Sequence, residues 1–196
     1  MGKRLFDIIS SAIGILVLWP LIVVIAVLVK LDSPGPVLYS GLRVGKDGKQ
    51  FRMHKFRTMV QNADKIGGPS TTDDDPRLTK IGRFLKRFQL DELPQLFDVL
   101  KGEMSVVGPR PEVPQEVELY NEEEKKLLSL QPGLTDWASL WNFHEGEILK
   151  GAEDAHQAYR EKIRPEKLRL GLKYVDEHNF WIDIKIILQT IKQIFS

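Results

Sequence analysis

From Ile8 to Val29 the chain carries no charged side chain, and Lys3, Arg4 and Lys30 flank the run. At ~1.5 Å per residue, a helix of this length matches a bilayer core of ~30 Å. No small-residue cleavage site follows, so a secretory signal peptide is a poor match. Pro20 lies near the middle, where it removes a backbone hydrogen bond and opposes the preceding turn. Each arm about Pro20 is then roughly 15–18 Å long, close to the depth of one leaflet. Basic residues at both ends pull both toward the cytoplasm. The residues leave two topologies open: a re-entrant helix–break–helix hairpin dipping into one leaflet, or a single-pass helix kinked at Pro20. The first keeps the whole chain on one face of the membrane.

Beyond this run, Ser33-Pro34-Gly35-Pro36 is a stiff exit, which divides the chain into 1–32 and 33–196. The total of 196 residues suits one domain with a sizeable core. A net charge of +1 gives no reason to expect a nucleic-acid partner, so any phosphate chemistry depends on local clusters. The absence of cysteine excludes disulfides and thiolate-bound metals. The four histidines show no ligand spacing and read as structural or surface residues.

Val37–Ser40 and Gln50–Phe56 alternate around Lys46-Asp47-Gly48-Lys49, the signature of an antiparallel β-hairpin. The glycine and lysine spacing there does not make a P-loop. Residues 62–75 read as a loop whose Asp73-Asp74-Asp75 either suggests a metal site or, the reading favoured, caps a helix beginning at Pro76. Over Pro76–Phe88, Leu78, Ile81, Leu85 and Phe88 follow helical spacing with Lys80, Arg83, Lys86 and Arg87 between them. Such a basic amphipathic helix is either solvated or turned toward anionic headgroups or substrate phosphates. Glu116–Lys126 and Glu145–Arg169 read as charged, solvated helices, and Gln131–Thr135 reads as a turn. Trp137, Trp141 and Phe143 suit either core or interface. Phe180, Trp181, Ile184, Ile187, Leu188, Ile191 and Phe195 define a last amphipathic helix, packed on the core or lying in the interface. The fold class expected is α+β, mainly α, with the membrane hairpin, a small β-hairpin and amphipathic interfacial helices.

Two stretches carry chemistry. Leu90-Asp91-Glu92-Leu93-Pro94-Gln95 sets adjacent carboxylates in an apolar run, where helical geometry points them about 100° apart. On its own such a pair is most simply a helix-start feature. Val107-Gly108-Pro109-Arg110-Pro111 holds an arginine between two prolines, a stiff mount for a fork that grips phosphate.

In order, Lys3–Asp7, the run containing Pro20, Ser33–Val37, Arg43-Val44-Gly45-Lys46-Asp47-Gly48, Lys55-Phe56-Arg57-Thr58-Met59, Leu90–Gln95 and Val107–Pro111 resemble the bacterial sugar transferases, the monotopic phosphoglycosyl transferases. The likeness covers nearly the whole chain. It implies transfer of a sugar-1-phosphate from a UDP-sugar to polyprenol phosphate at the cytoplasmic face of a bacterial inner membrane, with release of UMP. It further implies Asp91 as the nucleophile that carries a covalent phosphosugar, with Glu92 as the other member of the dyad, either a base toward the polyprenol phosphate or a residue that positions the metal. Mg²⁺ is implied as cofactor, with Asp91 as its ligand. Membrane lipid is an implied partner, and a homodimer is left open. Arg110 and Pro111 carry over by motif as substrate-binding residues, while Lys55, Arg57, Arg83 and Lys86 are candidates by motif position and charge. Two departures stand out: Trp19-Pro20 where small members commonly have Ser-Pro, and Asp136-Trp137-Ala138-Ser139-Leu140-Trp141 where Gly-Trp-Ala-Gln and a following Asn-Gly are common. Sugar identity is therefore not transferable. Two competing readings are a non-catalytic membrane-anchored scaffold of a glycan-assembly complex, and a soluble hydrolase using the paired acids. The scaffold gives no reason to keep Asp91, Glu92 and Arg110 together, and the hydrolase leaves the apolar run idle.

Overall fold

The computed structural model describes residues 2–63, 66–68 and 70–194, without the side chain of Glu147. Phe195, and Asp64, Lys65 and Pro69 of the expected loop, lie outside the described residues. The chain is mainly helical, with two small two-stranded sheets.

Helix α1 spans Gly2–Asp32 and encloses Pro20 without interruption. The expected helix–break–helix is thus one continuous element. Dividing it would strand four N–H and four C=O groups in an apolar segment, whereas the proline costs one bond. Trp19 also supplies no hydroxyl to cap a broken end. The two arms differ in what they touch, and both are tied to the same globular body. Near the start, Lys3 pairs with Asp183 at 2.7 Å, and Arg4 donates to the Val99 and Leu100 carbonyls. Buried Asp7 accepts from Ser105 Oγ and Val106 N–H, both at 2.9 Å. At the other end Ile25 and Val29 pack with Phe56 and Leu85, and Asp32 accepts from Ile81 N–H. Between them Leu16 (73% exposed), Val17 and Trp19 face outward.

Strands β1 (Leu38–Val44) and β2 (Gln50–Phe56) form the expected antiparallel hairpin, with Tyr39 opposite Lys55 and Arg43 opposite Phe51. Asp47 and Gly48 take φ of 57° and 74° in the turn, the left-handed region that Asp-Gly tolerates. Helix α2 runs over Lys80–Arg87, not from Pro76. Its cap is Thr79, whose hydroxyl accepts from Gly82 N–H. Asp75 instead turns onto Arg77, accepting from its backbone N–H and its guanidinium. That local pairing competes with helix and delays its start. Gly82 lets α2 lie directly on the strand exit, since a Cβ there would come within 1.9 Å of the Thr58 carbonyl oxygen.

Helix α3 (Gln95–Lys101) runs along the first arm of α1, with Leu96 against Gly14. Strand β3 (Ser105–Val107), α4 (Pro114–Val117) and β4 (Gly133–Thr135) follow, and β3 and β4 pair in parallel. The segment read as a turn is therefore a strand, too short to show alternation. Helices α5 (Trp137–Trp141), α6 (Glu145–Ile148), α7 (Ala155–Ala158), α8 (Arg164–Glu177) and α9 (Phe180–Ile194) complete the chain, with one π turn over Tyr159–Ile163. The charged segments are not simply solvated. Glu116 is 2% exposed and held by Arg160 and Arg164, while Leu149, Tyr159 and Ile163 form a small core. Trp137 packs on the main core beneath Lys185, Phe143 is buried, and Trp141 is exposed. Helix α9 meets the core through Ile186 and leaves Phe180, Trp181 (77% exposed), Leu188 and Ile191 outward.

Candidate functional site

The carboxylate pair stands on a tight 3-10 turn, Leu90–Glu92, and not on a regular α-helix. Gln89 reverses the chain just before it, with φ 52° and ψ 23°. A non-glycine residue there costs of order 1 kcal/mol or more. Its side chain repays part of this by donating to the Phe143 carbonyl at 3.0 Å. Pro94, with φ −60°, then suits the start of α3. The result presents both acids inward: Asp91 is 6% exposed and Glu92 8%.

Their surroundings separate them. Glu92 accepts from Lys55 Nζ at 2.6 Å and from both terminal nitrogens of Arg110. Burial alone would raise its pKa, but Arg110 and Lys55 outweigh that and hold it well below the usual carboxylate range. Asp91 accepts no hydrogen bond among the described residues; its nearest cation is Lys55, 4.0 Å away. Burial pushes its carboxyl above the ordinary value, only partly opposed by Lys55. Lys86 on α2, three residues before Gln89, also faces this recess without a hydrogen bond or ion pair to the described residues. Burial lowers its pKa, and Asp91 partly restores it.

Arg110 is mounted by the β3–β4 crossing. Gly108 N–H donates to the Thr135 carbonyl and Gly133 N–H to the Pro109 carbonyl. A Cβ on Gly133 would lie 2.1 Å from Gly108 N, so the two backbones meet where only glycine fits. Asp136 caps α5 and also accepts from Arg110 N–H at 3.3 Å. Pro111 is buried and stiffens the step to Glu112, whose carbonyl accepts from Val44 N–H.

Of the residues expected from sequence, the structure brings together Asp91, Glu92, Lys55, Lys86 and Arg110. It does not bring Arg57. That guanidinium is buried and donates to the carbonyls of Val29, Ser33 and Pro34, fastening the end of α1. Arg83 is exposed on α2, with no hydrogen bond or ion pair to the described residues. Gln89 and Asp136 were not anticipated; a left-handed glutamine carries no sequence signal, and an N-cap Asp gives no hint of a distant arginine. Among the described residues no three His, Asp or Glu side chains cluster as a metal cage. The donor set still suits Mg²⁺, which takes one or two carboxylates and completes its shell with substrate phosphates and water. Asp91 is the carboxylate left free for it.

Fold and site together define an apolar-anchored, mainly helical domain that holds, among cations, a carboxylate free of hydrogen bonds to the described residues. The chain belongs to the bacterial sugar transferase family, whose model matches residues 1–196. It is 40% identical to an undecaprenyl-phosphate glucose phosphotransferase of Komagataeibacter xylinus, over 100% of this chain and 36% of that protein. A UDP-N-acetylgalactosamine-undecaprenyl-phosphate N-acetylgalactosaminephosphotransferase of Aeromonas hydrophila is 37% identical over 99% of this chain and 44% of its own length. The exopolysaccharide production protein ExoY of Rhizobium meliloti (strain 1021) is 34% identical, with 97% and 84% covered. The chain thus spans less than half the length of the first two relatives.

Proposed function

We propose that this protein transfers a sugar-1-phosphate from a UDP-sugar to a polyprenol phosphate, by way of a phosphosugar carried on Asp91. The observation that carries the reading is the contrast within the dyad: Glu92 is held by Arg110 and Lys55, while buried Asp91 has no hydrogen-bond partner among the described residues. A carboxylate set in a recess among cations, with its oxygens free of hydrogen bonds to the described residues, is a candidate for chemistry. The names of the relatives support undecaprenyl phosphate as acceptor and a nucleotide-linked hexose or N-acetylhexosamine as donor.

In the first half-reaction an Asp91 oxygen forms a bond to the donor's β-phosphorus. The bond from that phosphorus to the bridging oxygen breaks, and UMP leaves with the oxygen. In the second, a phosphate oxygen of the acceptor bonds the same phosphorus, the Asp91 bond breaks, and polyprenyl-diphospho-sugar is released. A carboxylate and a diphosphate repel, so Lys55, Lys86 and Arg110 supply the opposing field. Glu92, held anionic, fixes Arg110 and Lys55 in place. Mg²⁺ held by Asp91 and substrate phosphates would add neutralising charge. Covalent storage lets a soluble donor and a lipid acceptor use one recess in turn.

Membrane placement follows from α1. Its exposed apolar middle suits lipid, and both its ends are bonded to one polar body, which a bilayer-crossing helix would have to divide. A re-entrant seat in one leaflet, with α1 bent at Pro20 rather than broken there, would satisfy both, and Lys3, Arg4 and Lys30 favour the cytoplasmic face. The test is UMP release from a panel of UDP-sugars, with intact-mass detection of the protein. Wild type without acceptor should gain one phosphosugar, and Asp91→Asn should gain none and lose turnover. Turnover in Asp91→Asn near the wild-type rate refutes the reading.

A further inference from the structure

The proposed reaction needs two phosphates held at once, and the cations touching the dyad do not exhaust the positive charge around it. On the β-hairpin, directly opposed residues point to one face. Tyr39 opposite Lys55, Gly41 opposite Met53, and Arg43 opposite Phe51 therefore share the face from which Lys55 reaches Glu92. Arg43 is two residues beyond Gly41, and its guanidinium folds back over that glycine. A Cβ placed on Gly41 would lie 3.1 Å from Arg43 Nη1, 3.0 Å from Tyr39 Cε1 and 3.3 Å from the Tyr39 hydroxyl. The missing side chain at Gly41 is the notch in which the two donors converge.

Neither donor is matched to a carboxylate by a hydrogen bond among the described residues. Arg43 Nη1 donates to the carbonyl of Leu42 at 2.8 Å, and no carboxylate among the described residues pairs with the guanidinium. The nearby Glu112 carboxylate is taken by Lys167 and by the Tyr159 hydroxyl. Tyr39 is half exposed, and its hydroxyl makes no hydrogen bond to the described residues. Burial lowers the Arg43 pKa, Glu112 and Tyr39 oppose that, and Arg110 and Glu92 are also close enough to act on it. A half-buried guanidinium with no carboxylate in contact, beside another arginine, is a site that suits an anion.

We infer that Arg43 and Tyr39, meeting across Gly41, form a second phosphate-binding position adjoining Arg110, distinct from the one at Asp91 and Lys86. This rests on the transferase reading above. Two phosphates answer to the same chemistry: the donor's α-phosphate, which departs in UMP, and the phosphate of the polyprenol acceptor.

The experiment compares wild type, Arg43→Gln, Arg43→Lys and Gly41→Ala in a membrane nanodisc, with UMP as product inhibitor. Arg43→Gln should raise one substrate KM roughly tenfold to a hundredfold, the scale of one charged hydrogen bond lost. Arg43→Lys should recover part of that. Gly41→Ala should give a smaller loss in the same direction by pushing the two donors apart. If the donor KM and the UMP inhibition constant rise together and phosphosugar loading slows, the position takes the donor's phosphate. If loading is unchanged and only the polyprenol phosphate KM rises, it takes the acceptor's. A folded Arg43→Gln with both constants at wild-type values overturns the inference. It would leave the Asp91 reading intact, because wild-type loading reports on that separately.

Discussion

Arg57 separates the motif reading from the structural one. By position it is a cation awaiting phosphate; in the fold its guanidinium ties the end of α1 to the start of the hairpin. Arg57→Met keeps length and removes every donor. The Val29 carbonyl, bonded at 3.3 Å in a buried setting, would be left unsatisfied at a cost of about 1–3 kcal/mol. The Ser33 carbonyl, bonded at 2.7 Å, and that of Pro34 lie nearer solvent and can take water, so each loses about 0.5–1.5 kcal/mol. Removing a cation from a helix C-terminus adds about 0.3–1 kcal/mol. Relief of the buried, unpartnered Arg57 Nε offsets part of this, giving a net loss of about 3 kcal/mol. For a chain of this size each kcal/mol lowers Tm by about 2–4 °C, so the shift should be roughly 6–12 °C. The assay is thermal unfolding in nanodiscs of one lipid composition, with donor KM measured well below both transitions. The expected result is a large Tm loss with donor KM within about twofold, since the guanidinium acts on the anchor. An unchanged Tm with a tenfold higher KM would refute the reasoning and return Arg57 to the substrate.

Burial raises the Asp91 carboxyl and Lys55 opposes it, so UMP release should fall with acid through a pKa above the ordinary carboxylate value. Lys55→Met should move that limb to higher pH in a pH–rate profile; a shift to lower pH would contradict the assignment. The same raised pKa means the folded state binds this proton more tightly than the unfolded one. Asp91 therefore favours folding at low pH and opposes it once pH exceeds the unfolded value. Asp91→Asn should then match or exceed the wild-type Tm at neutral pH while losing turnover, and a clear Tm loss there would count against the unpaired state of Asp91. Gly133→Ala forces a Cβ against Gly108 N and should cost about 1–3 kcal/mol or more, with turnover falling through Arg110; wild-type values of both would show that the β3–β4 crossing does not mount it. Single cysteines at Gly2 and Ser33 should react with an impermeant thiol reagent from the same side of oriented vesicles, and opposite-side labelling would remove the re-entrant seat.

The hairpin was legible because strand alternation and an Asp-Gly turn are local signals. The start of α2 was misplaced because Asp75 pairs with Arg77 two residues on, and that competitor looks the same in sequence as a helix cap. β3 and β4 were hidden because three-residue strands show no period, and their pairing is recorded only in Gly108 and Gly133 meeting at the crossing. Within the site, the acids and Arg110 could be found from motif order. The division between Glu92 and Asp91 could not, since it depends on which carboxylate Lys55 and Arg110 reach. Charge likewise could not sort Lys86, which faces the recess, from Arg57, which does not.

That division explains why two adjacent acids are useful where one would be trapped. A lone carboxylate among Lys55, Lys86 and Arg110 would be captured by them, its lone pairs occupied and its basicity lowered. Glu92 takes the forked contact with Arg110 and the short one with Lys55, so the positive field remains but its direct hydrogen bonds are already made. The turn then offsets Asp91 to where it lies within the field, 4.0 Å from Lys55, yet accepts no hydrogen bond from the described residues. A regular α-helix would also separate the two side chains, but the left-handed Gln89 sets the angle at which the turn enters the recess, and its tether to Phe143 holds it there. Glu92 is on this view the residue that keeps Asp91 free. Glu92→Gln should therefore weaken phosphosugar loading by transferring Lys55 to Asp91, even though the proposed phosphosugar is carried on Asp91 alone.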